Sequence, residues 1–513
     1  MVFWQEENKT MVPNRSIDRG CAEPEEMAYG LARNVTCKID KGRVRLVLAY
    51  PLKAIFLHHS WSPAFELFSQ ADLVPLKKIV PRIDSYRKED IAYFLDNLVR
   101  KGFLEVHGFP ILSEYPSVSV IIPVRNRPDE IEACLDSLTK VCYPDDKMEI
   151  IVVDDGSTDD TLLRISRFQA RLISLKENHY ASFCRNLGAA KANGEILAFV
   201  DSDCVVEPYW LMELIPVFER QMVGAVGGKV SSYFSRSGLN RYEEVKSSLV
   251  ISTRAKSSLE GDRSFYVPSC NLLVRRKAFL KVGGYREDLI VGEDVDLCWR
   301  LQDRGYHVEF VPRGTVFHRH RNKILSFAKR RFDYGGSEPL LQRLHPNRRK
   351  MMTFPLALIL FWVPIALGLL SGSMTAVALS PLVAILDAYR KGTVARRNGL
   401  TIPFAVLLLC TFRQYAAFLY YCCSFVSRYY LIGGVVLVWF WPWACAAILG
   451  AHIFAGTVEY VIKKPRLIVF AFLWYFTLEQ LSYQLGVWWG CIRNFSFSSI
   501  NPQVKLKASS GNS

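Results

Sequence analysis

Three apolar runs of strand length, each breaking off into a polar cluster, constrain this chain more than any other feature. VSVIIPV, from Val118, runs into Arg125-Asn126; EIIVVDDG, from Glu149, ends on Asp154-Asp155; ILAFV ends on Asp201-Ser202-Asp203. Between the first two, IEACLDSLTKV has helical spacing of apolar residues, and further helices are predicted over 159–170 and 181–192 with a strand near 171–175. Strands alternating with helices predict an α/β fold with a parallel sheet covered on both faces. In such sheets ligands bind outside the carboxyl ends of the strands, where these polar clusters fall.

The chain has 513 residues, room for about three domains at roughly 150 residues each. Half of the residues are hydrophobic and 22% are charged, which excludes a disordered, collagen-like or disulfide-scaffold chain. A net charge of +15 suggests nucleic acid until its position is considered. Residues 1–318 hold 42 basic and 44 acidic residues, residues 319–350 hold 10 and 2, and residues 351–513 hold 12 and 3. The excess flanks apolar stretches, of which 354–370 and the 30 residues 429–458 carry no charge. Uncharged runs of about 20 residues are membrane candidates. Basic flanks beside them read as cytoplasmic and lipid-facing. Membrane lipid, not nucleic acid, is therefore the expected partner.

Candidate spans fall at 353–371, 373–387, 402–424, 431–451 and 466–486, three to five of them crossing, with the hairpin 353–387 the firmest. Glu479, Gln480 and Gln484 mark the last as a candidate interfacial helix. The N-terminus has no apolar stretch of signal-peptide length, so the front of the chain is expected in the cytoplasm. Thirteen Cys without a CxxC pair read as small buried hydrophobes in a reducing compartment rather than disulfides or zinc ligands.

The expected division is a weakly patterned segment (1–40), a small winged-helix unit (41–112), the α/β domain (116–345), a transmembrane or interfacial helical region (350–495) and a polar tail (496–513). In the small unit, VRLVLAYPLKAIFL reads as a strand leading into a helix. Helices follow near Ser62–Ser69 and Lys88–Arg100, Gly102 ends the second, and FLEVHG closes the unit as a strand. The unit is nearly balanced in charge, a poor footprint for nucleic acid.

Asp201 and Asp203 stand two apart at the end of an apolar strand, where they can converge on one cation. Hard oxygen ligands suggest Mg²⁺ or Mn²⁺, which would neutralise charge on a leaving diphosphate. Alone, the pair reads more simply as a solvated strand end. Its company changes that weighing. VSVIIPVRNRPDEI, EIIVVDDGSTDDT, ASFCRNLGAA followed by ILAFVDSDC, and VGGYREDLIVGEDVDLCWRLQDRGY occur in this order. Over about residues 116–335 the chain resembles the family 2 inverting glycosyltransferases of the GT-A fold, a Rossmann-like nucleotide-sugar-binding domain.

The resemblance implies roles position by position. Pro123, Val124, Arg125 and Asn126 match the turn beside the nucleoside, and Asp154 and Asp155 the acidic pair of which one contacts the base. Arg185 matches the basic residue near the nucleotide. Asp201 is implied on ribose and metal, Ser202 between, and Asp203 on metal. Asp294, with Glu293 beside it, matches the general base acting on the acceptor hydroxyl. An inverting transfer needs such a base and no covalent nucleophile. The same carboxylates also suit a helix N-terminus ahead of VDLCWRLQDRG. His318 reads either as a late histidine completing the metal shell or as an ordinary one. Pro268–Asn271 and Gly283–Tyr285 resemble the acceptor-side lining.

Processive family members carry QxxRW near Ala328–Phe332, where this chain lacks the Gln and Trp. RRFDYGGSEPL and EQLSYQLGVWWGCIR instead look like the mycofactocin glycosyltransferase subfamily. The small N-terminal unit resembles the PqqD-like peptide-recognition domain that precedes it, implying a ribosomally derived peptide or redox-cofactor precursor as partner. The resemblance implies transfer of glucose from UDP-glucose to that precursor, building a β-linked oligosaccharide at the membrane. The alternative is a polyprenyl-phosphate or cell-surface glycan acceptor.

Overall fold

A computed structural model describes residues 27–507 apart from 41–42, 49–52, 84, 235–236, 321–322, 398–399 and 438. Most of the segment expected to be weakly patterned, and 508–513 of the expected polar tail, lie outside the described residues.

The apolar runs form adjacent parallel strands. Ile196–Val200, Val118–Val124 and Met148–Asp154 lie side by side, and Arg171–Ser174 extends them at one edge. On the other side the sheet continues through Asn271–Arg275, Val223–Gly227, His307–Phe310 and Lys256–Ser257. Asn271–Arg275 runs antiparallel to both its neighbours, so the expected parallel sheet is a mixed sheet of eight strands. The first four strands are linked by helical crossovers, whereas Asn271–Arg275 enters after a long excursion that reverses the chain. Alternate residues go to opposite faces. Val120 and Ile122 pack with Ile131 and Leu135 of the Pro128–Leu138 helix, while Ile121 packs with Cys184, Phe199 and Leu297. The helix expected over 159–170 is only Thr161–Ile165. Of its apolar residues only Ile165 is buried, so no apolar face carries it further.

The N-terminal unit has its own core, including Tyr29, Leu46, Phe65, Ile91 and Leu95. Ala28–Leu31 pairs with Val74–Pro75 and Leu104–His107 around helices Ser62–Leu67, Leu76–Ile79 and Lys88–Lys101. The last ends at Gly102 with φ +83°, a left-handed cap. Val35–Asp40, Arg43–Leu48 and Lys53–Leu57 form an antiparallel meander. Two expectations are corrected here. Lys53–Leu57 is a strand, not a helix, because it pairs along a strand whose Val44, Leu46 and Leu48 alternate into the core. The unit also begins before residue 41, since strands from 28 onward belong to it.

This unit docks on the central sheet through a buried ion pair, Arg100 Nη1 to Glu309 Oε2 at 2.9 Å. Removing one partner of a buried pair typically costs about 3–5 kcal/mol. Arg100→Ala is expected at the low end, because Arg220 remains 3.6 Å from Glu309. Limited proteolysis should then cut between residues 108 and 117 faster than in the unmodified protein; an unchanged rate would contradict a docking role.

After the Ile324–Leu344 helix come five more: Leu356–Ser371, Met374–Arg397, Phe404–Leu437, Pro442–Lys463 and Val469–Arg493. Among the described residues, two are long and apolar enough to cross a membrane, over Phe404–Gly434 and Pro442–Lys463. The 353–387 hairpin, expected to be firmest, is not among them. Its first helix is 16 residues with Pro364 inside, and its second runs on into Asp387, Arg390 and Lys391. The expected interfacial helix at 466–486 instead packs on Ile324–Leu344. Gly335 and Gly486 let the two backbones touch: a Cβ at Gly335 would strike the Tyr483 carbonyl, and one at Gly486 the Phe332 carbonyl. Glu479, Gln480 and Gln484 are buried, and Glu479 Oε2 accepts from the Tyr242 hydroxyl at 2.5 Å. The expected polar tail contributes a strand, Gln503–Lys507, parallel to Met351–Pro355.

Buried Cys134, Cys184, Cys204, Cys270 and Cys298 are free thiols as expected, but Cys142 is disulfide-bonded.

Candidate active site

The strand ends converge as expected. Pro123 and Val124 finish their strand, and Arg125 and Asn126 stand exposed beyond it. Asn126 adopts φ +50°, a left-handed turn that Asn tolerates. Its side chain accepts from the Thr158 amide at 2.8 Å, and its own amide donates to Ser157 Oγ at 2.9 Å. The first and second strand-end turns are thus locked together. The acidic pair divides its work. Asp155 accepts from the His179 and Tyr180 amides at 2.6 and 2.9 Å, capping the next helix. Asp154 accepts from the Ser157 amide and Ser174 hydroxyl through Oδ2, while its buried Oδ1 has no hydrogen-bond partner. Asp154 is fully buried beneath the strand end.

Arg185 joins two further sites. Its guanidinium donates to Asp201 Oδ1 at 2.6 Å and to Glu293 Oε1 at 3.0 Å. The Tyr180–Lys191 helix therefore ties the strand-end carboxylate to the residue beside the expected base.

The metal set expected as Asp201, Asp203 and His318 is divided. Cys204–Val206 pairs with Val316–His318 in a register that sets Cys204 opposite His318. This brings His318 Nε2 to 3.4 Å from Asp203 Oδ1, and His318 Nδ1 is buried without a hydrogen-bond partner. Asp201 is not in that cluster; it faces Arg185 and remains 31% exposed. Burial raises the Asp203 carboxyl, but the His318 ring and the Arg127 guanidinium outweigh it and hold the group at about 2. Cys204 lies within reach of the cluster, yet burial pushes its thiol well up, which makes it a poor ligand. An ionised carboxylate and an imidazole beside it fit a divalent cation such as Mg²⁺ or Mn²⁺.

Asp294 and Glu293 open the Glu293–Asp303 helix after Gly292 at φ +85°. Asp294 Oδ1 accepts from the Val295 amide at 2.8 Å and Oδ2 from the Ser269 amide at 3.4 Å. The carboxylate thus sits at the helix N-terminus and also lines open space. Burial and the adjacent Glu293 raise it to about 7, suiting a base near neutral pH. It lines a cavity of about 1100 Å³ whose opposite wall is built by the C-terminal helices.

Sequence reasoning missed Arg127, which bonds Asp203, although it adjoins Arg125-Asn126. It also missed the wall residues Arg428, Glu479 and Tyr483. Their signal was present in Glu479 and Arg428, charged residues in otherwise apolar helices.

Residues 119–283 match the glycosyl transferase family 2 model. That stretch lies in the mixed sheet and its helices, so this part of the chain is similar to family 2 glycosyltransferases. The chain resembles the pre-mycofactocin glycosyltransferase of Mycobacterium tuberculosis, 27% identical over 76% of this chain and 82% of that protein. The glycosyltransferase AglE of Haloferax volcanii is 32% identical over 39% of this chain and 66% of its own. A mannosyltransferase from Pyrobaculum calidifontis, solved with GDP-mannose and Mn²⁺, aligns over 72% of this chain and 93% of its own at 17% identity and a TM-score of 0.37.

Proposed function

We propose that the protein is a membrane-attached, inverting glycosyltransferase moving glucose from UDP-glucose to a hydroxyl of a pre-mycofactocin-type, peptide-derived precursor. The observation that carries this is the meeting of two half-sites. Asp154, Asp201 and Asp203 end the strands on the donor side, and Asp294 faces them across Arg185 and Glu293 at the wall of a cavity large enough for an acceptor. The relative from M. tuberculosis supports the acceptor class.

One carboxylate of the Asp154-Asp155 pair receives a base N–H, and the Asn126 turn shapes the nucleoside pocket. Asp203 and His318, with Asp201 beside them, would hold Mg²⁺ or Mn²⁺, which when bound supplies positive charge to the leaving diphosphate. Asp294 takes the acceptor hydroxyl proton as that oxygen bonds the anomeric carbon. The carbon–phosphate oxygen bond breaks, and its electron pair leaves with UDP. Arg185 holds Glu293 and Asp201 on either side of that event.

Membrane attachment falls to the Phe404–Leu437 and Pro442–Lys463 hairpin. Its tip exposes Trp439, Trp441 and Trp443 at 86%, 67% and 84%, residues that favour a bilayer interface. The catalytic domain stays on the cytoplasmic side with the basic flanks. The N-terminal unit, a PqqD-like winged helix in this reading, receives the peptide; nucleic acid has no part.

The test is incubation with UDP-glucose, metal and modified precursor peptide, read by mass spectrometry. Hexose increments on the precursor are expected. None, with labelled glucose passing instead into an organic-extractable lipid, would replace the peptide-derived acceptor with a polyprenyl one.

A further inference from the structure

We propose that Leu356–Ser371 and Met374–Arg397 form a hairpin that dips into one leaflet of an anionic bilayer and returns on the same side. The inference rests on the membrane attachment proposed above and deepens it: it adds a second, shallower contact and names the lipid that meets it. Residues 351–386 include no charged side chain. The first helix has 16 residues, about 24 Å at roughly 1.5 Å per residue, against a hydrocarbon core of roughly 30 Å. The uncharged part of the second, 374–386, is shorter still. Neither arm reaches the far side, so an apolar hairpin of this length enters and turns back. The arms run close together: a Cβ at Gly368 would meet the Ser373 carbonyl and the Val377 side chain.

One face of the hairpin is already used. Leu358, Phe361 and Ala384 bury with Tyr415 of the Phe404–Leu437 helix, and the Trp362 indole N–H donates to the Tyr415 carbonyl at 3.1 Å. Another face has no such cover. Leu356, Leu360, Val363 and Leu367 follow steps of four, three and four along one side of the first helix and stay exposed. Leu382 and Leu386 do the same on the return helix. Tip, root and neighbour match this stripe to lipid rather than to a second protein. The tip, Ser371-Gly372-Ser373, turns at Gly372 with φ +73°. The Ser371 hydroxyl donates to the Leu367 carbonyl at 2.8 Å, and the Ser373 and Thr375 hydroxyls bond each other at 2.9 Å. Those hydroxyls are satisfied inside the hairpin, as hydrocarbon demands. The root is cationic. Asp387 is the sole acidic residue from 351 to 397, and it is buried at 2.8 Å from Lys391 and 3.3 Å from Arg390. Arg390, Arg396 and Arg397 stay exposed there, a charge that draws the phosphates of an anionic leaflet. The neighbour is the Phe404–Leu437 helix, itself a candidate span, so the hairpin adjoins a surface already read as membrane-bound.

The experiment replaces Leu356, Leu367 or, as a control, Leu163, exposed on the sheet domain, with a fluorescent amino acid. Full-length protein is reconstituted in vesicles of phosphatidylcholine and phosphatidylglycerol. The quenchers are lipids carrying a nitroxide near the headgroup or near the acyl end, and iodide outside or inside the vesicle. The deep nitroxide should quench the probe at 367 several-fold more than the shallow one, with the reverse order at 356, and iodide should reach only the probe at 163. Iodide quenching at 367 from the side opposite the control shows a crossing hairpin, and from the same side a hairpin in water. Quenching at 367 by none of them shows a face covered by a second copy. Each of these three overturns the dip while leaving membrane attachment standing. The variant with both Arg396→Gln and Arg397→Gln should retain less phosphatidylglycerol on isolation from the mixed vesicles, by roughly fivefold per charge removed; unchanged retention overturns the anionic headgroup contact. Failure of the unmodified protein to associate with the vesicles overturns the membrane reading and the hairpin with it.

Discussion

Asp294→Asn is expected to lower glycosyl transfer by about 10²–10⁴-fold, the usual contribution of a positioned general base. Asn keeps the shape, and its carbonyl oxygen can still accept from the Val295 amide, the closer of the two, so the helix start should survive. UDP affinity, measured by calorimetry, should stay near that of the unmodified protein, because the residue faces the acceptor. The pH profile separates this from a structural effect. Burial and Glu293 raise the Asp294 carboxyl to about 7. A base works only when deprotonated, so kcat/KM should rise with pH and level off above about 7. The residual activity of the Asn variant should lack that limb. Equal activity of the two proteins would remove Asp294 from the base role.

Arg185→Met should be the most damaging change away from the acceptor side. Arg185 is buried, and its single guanidinium pairs with both Asp201 and Glu293. It also lies over the Tyr285 ring, 5.4 Å from the centroid. Met fills much of the same volume but removes the cation bonded to both carboxylates, leaving them the Arg330 charge nearby. Breaking a buried pair costs about 3–5 kcal/mol; the exposure of Asp201 places the expected loss near 3. Thermal melting of the detergent-solubilised protein should fall by several degrees, and transfer should fall with it. Unchanged melting would show that the two carboxylates find water or another partner at no cost.

The donor half of this site was legible because its residues are local. Val124, Asp154 and Asp201 each follow an apolar run, and the strand end alone places them at the sheet's carboxyl edge. Asp294 was legible through its motif. The rest depended on contacts distant in the chain. Nothing local shows that Val316–His318 pairs with Cys204–Val206, yet that register decides that His318 meets Asp203 and that Asp201 turns to Arg185 instead. The C-terminal helices were misjudged for a related reason. Composition alone made 353–387 look like a membrane-crossing hairpin and 466–486 look interfacial. The glycines at 335 and 486 and the burial of Glu479 show the latter to be a wall of the cavity. Lys53–Leu57 failed differently: AIFL fits a helix as well as a strand, and only pairing with Arg43–Leu48 settles it.

The anomeric linkage of the product tests the central claim most directly. UDP-glucose carries an α-linked sugar, and a single displacement driven by Asp294 reverses that configuration. Nuclear magnetic resonance of the glucosylated product should therefore show a β-linked glucose. An α-linked product would require a second displacement or front-side attack and would contradict the account of Asp294 as the base.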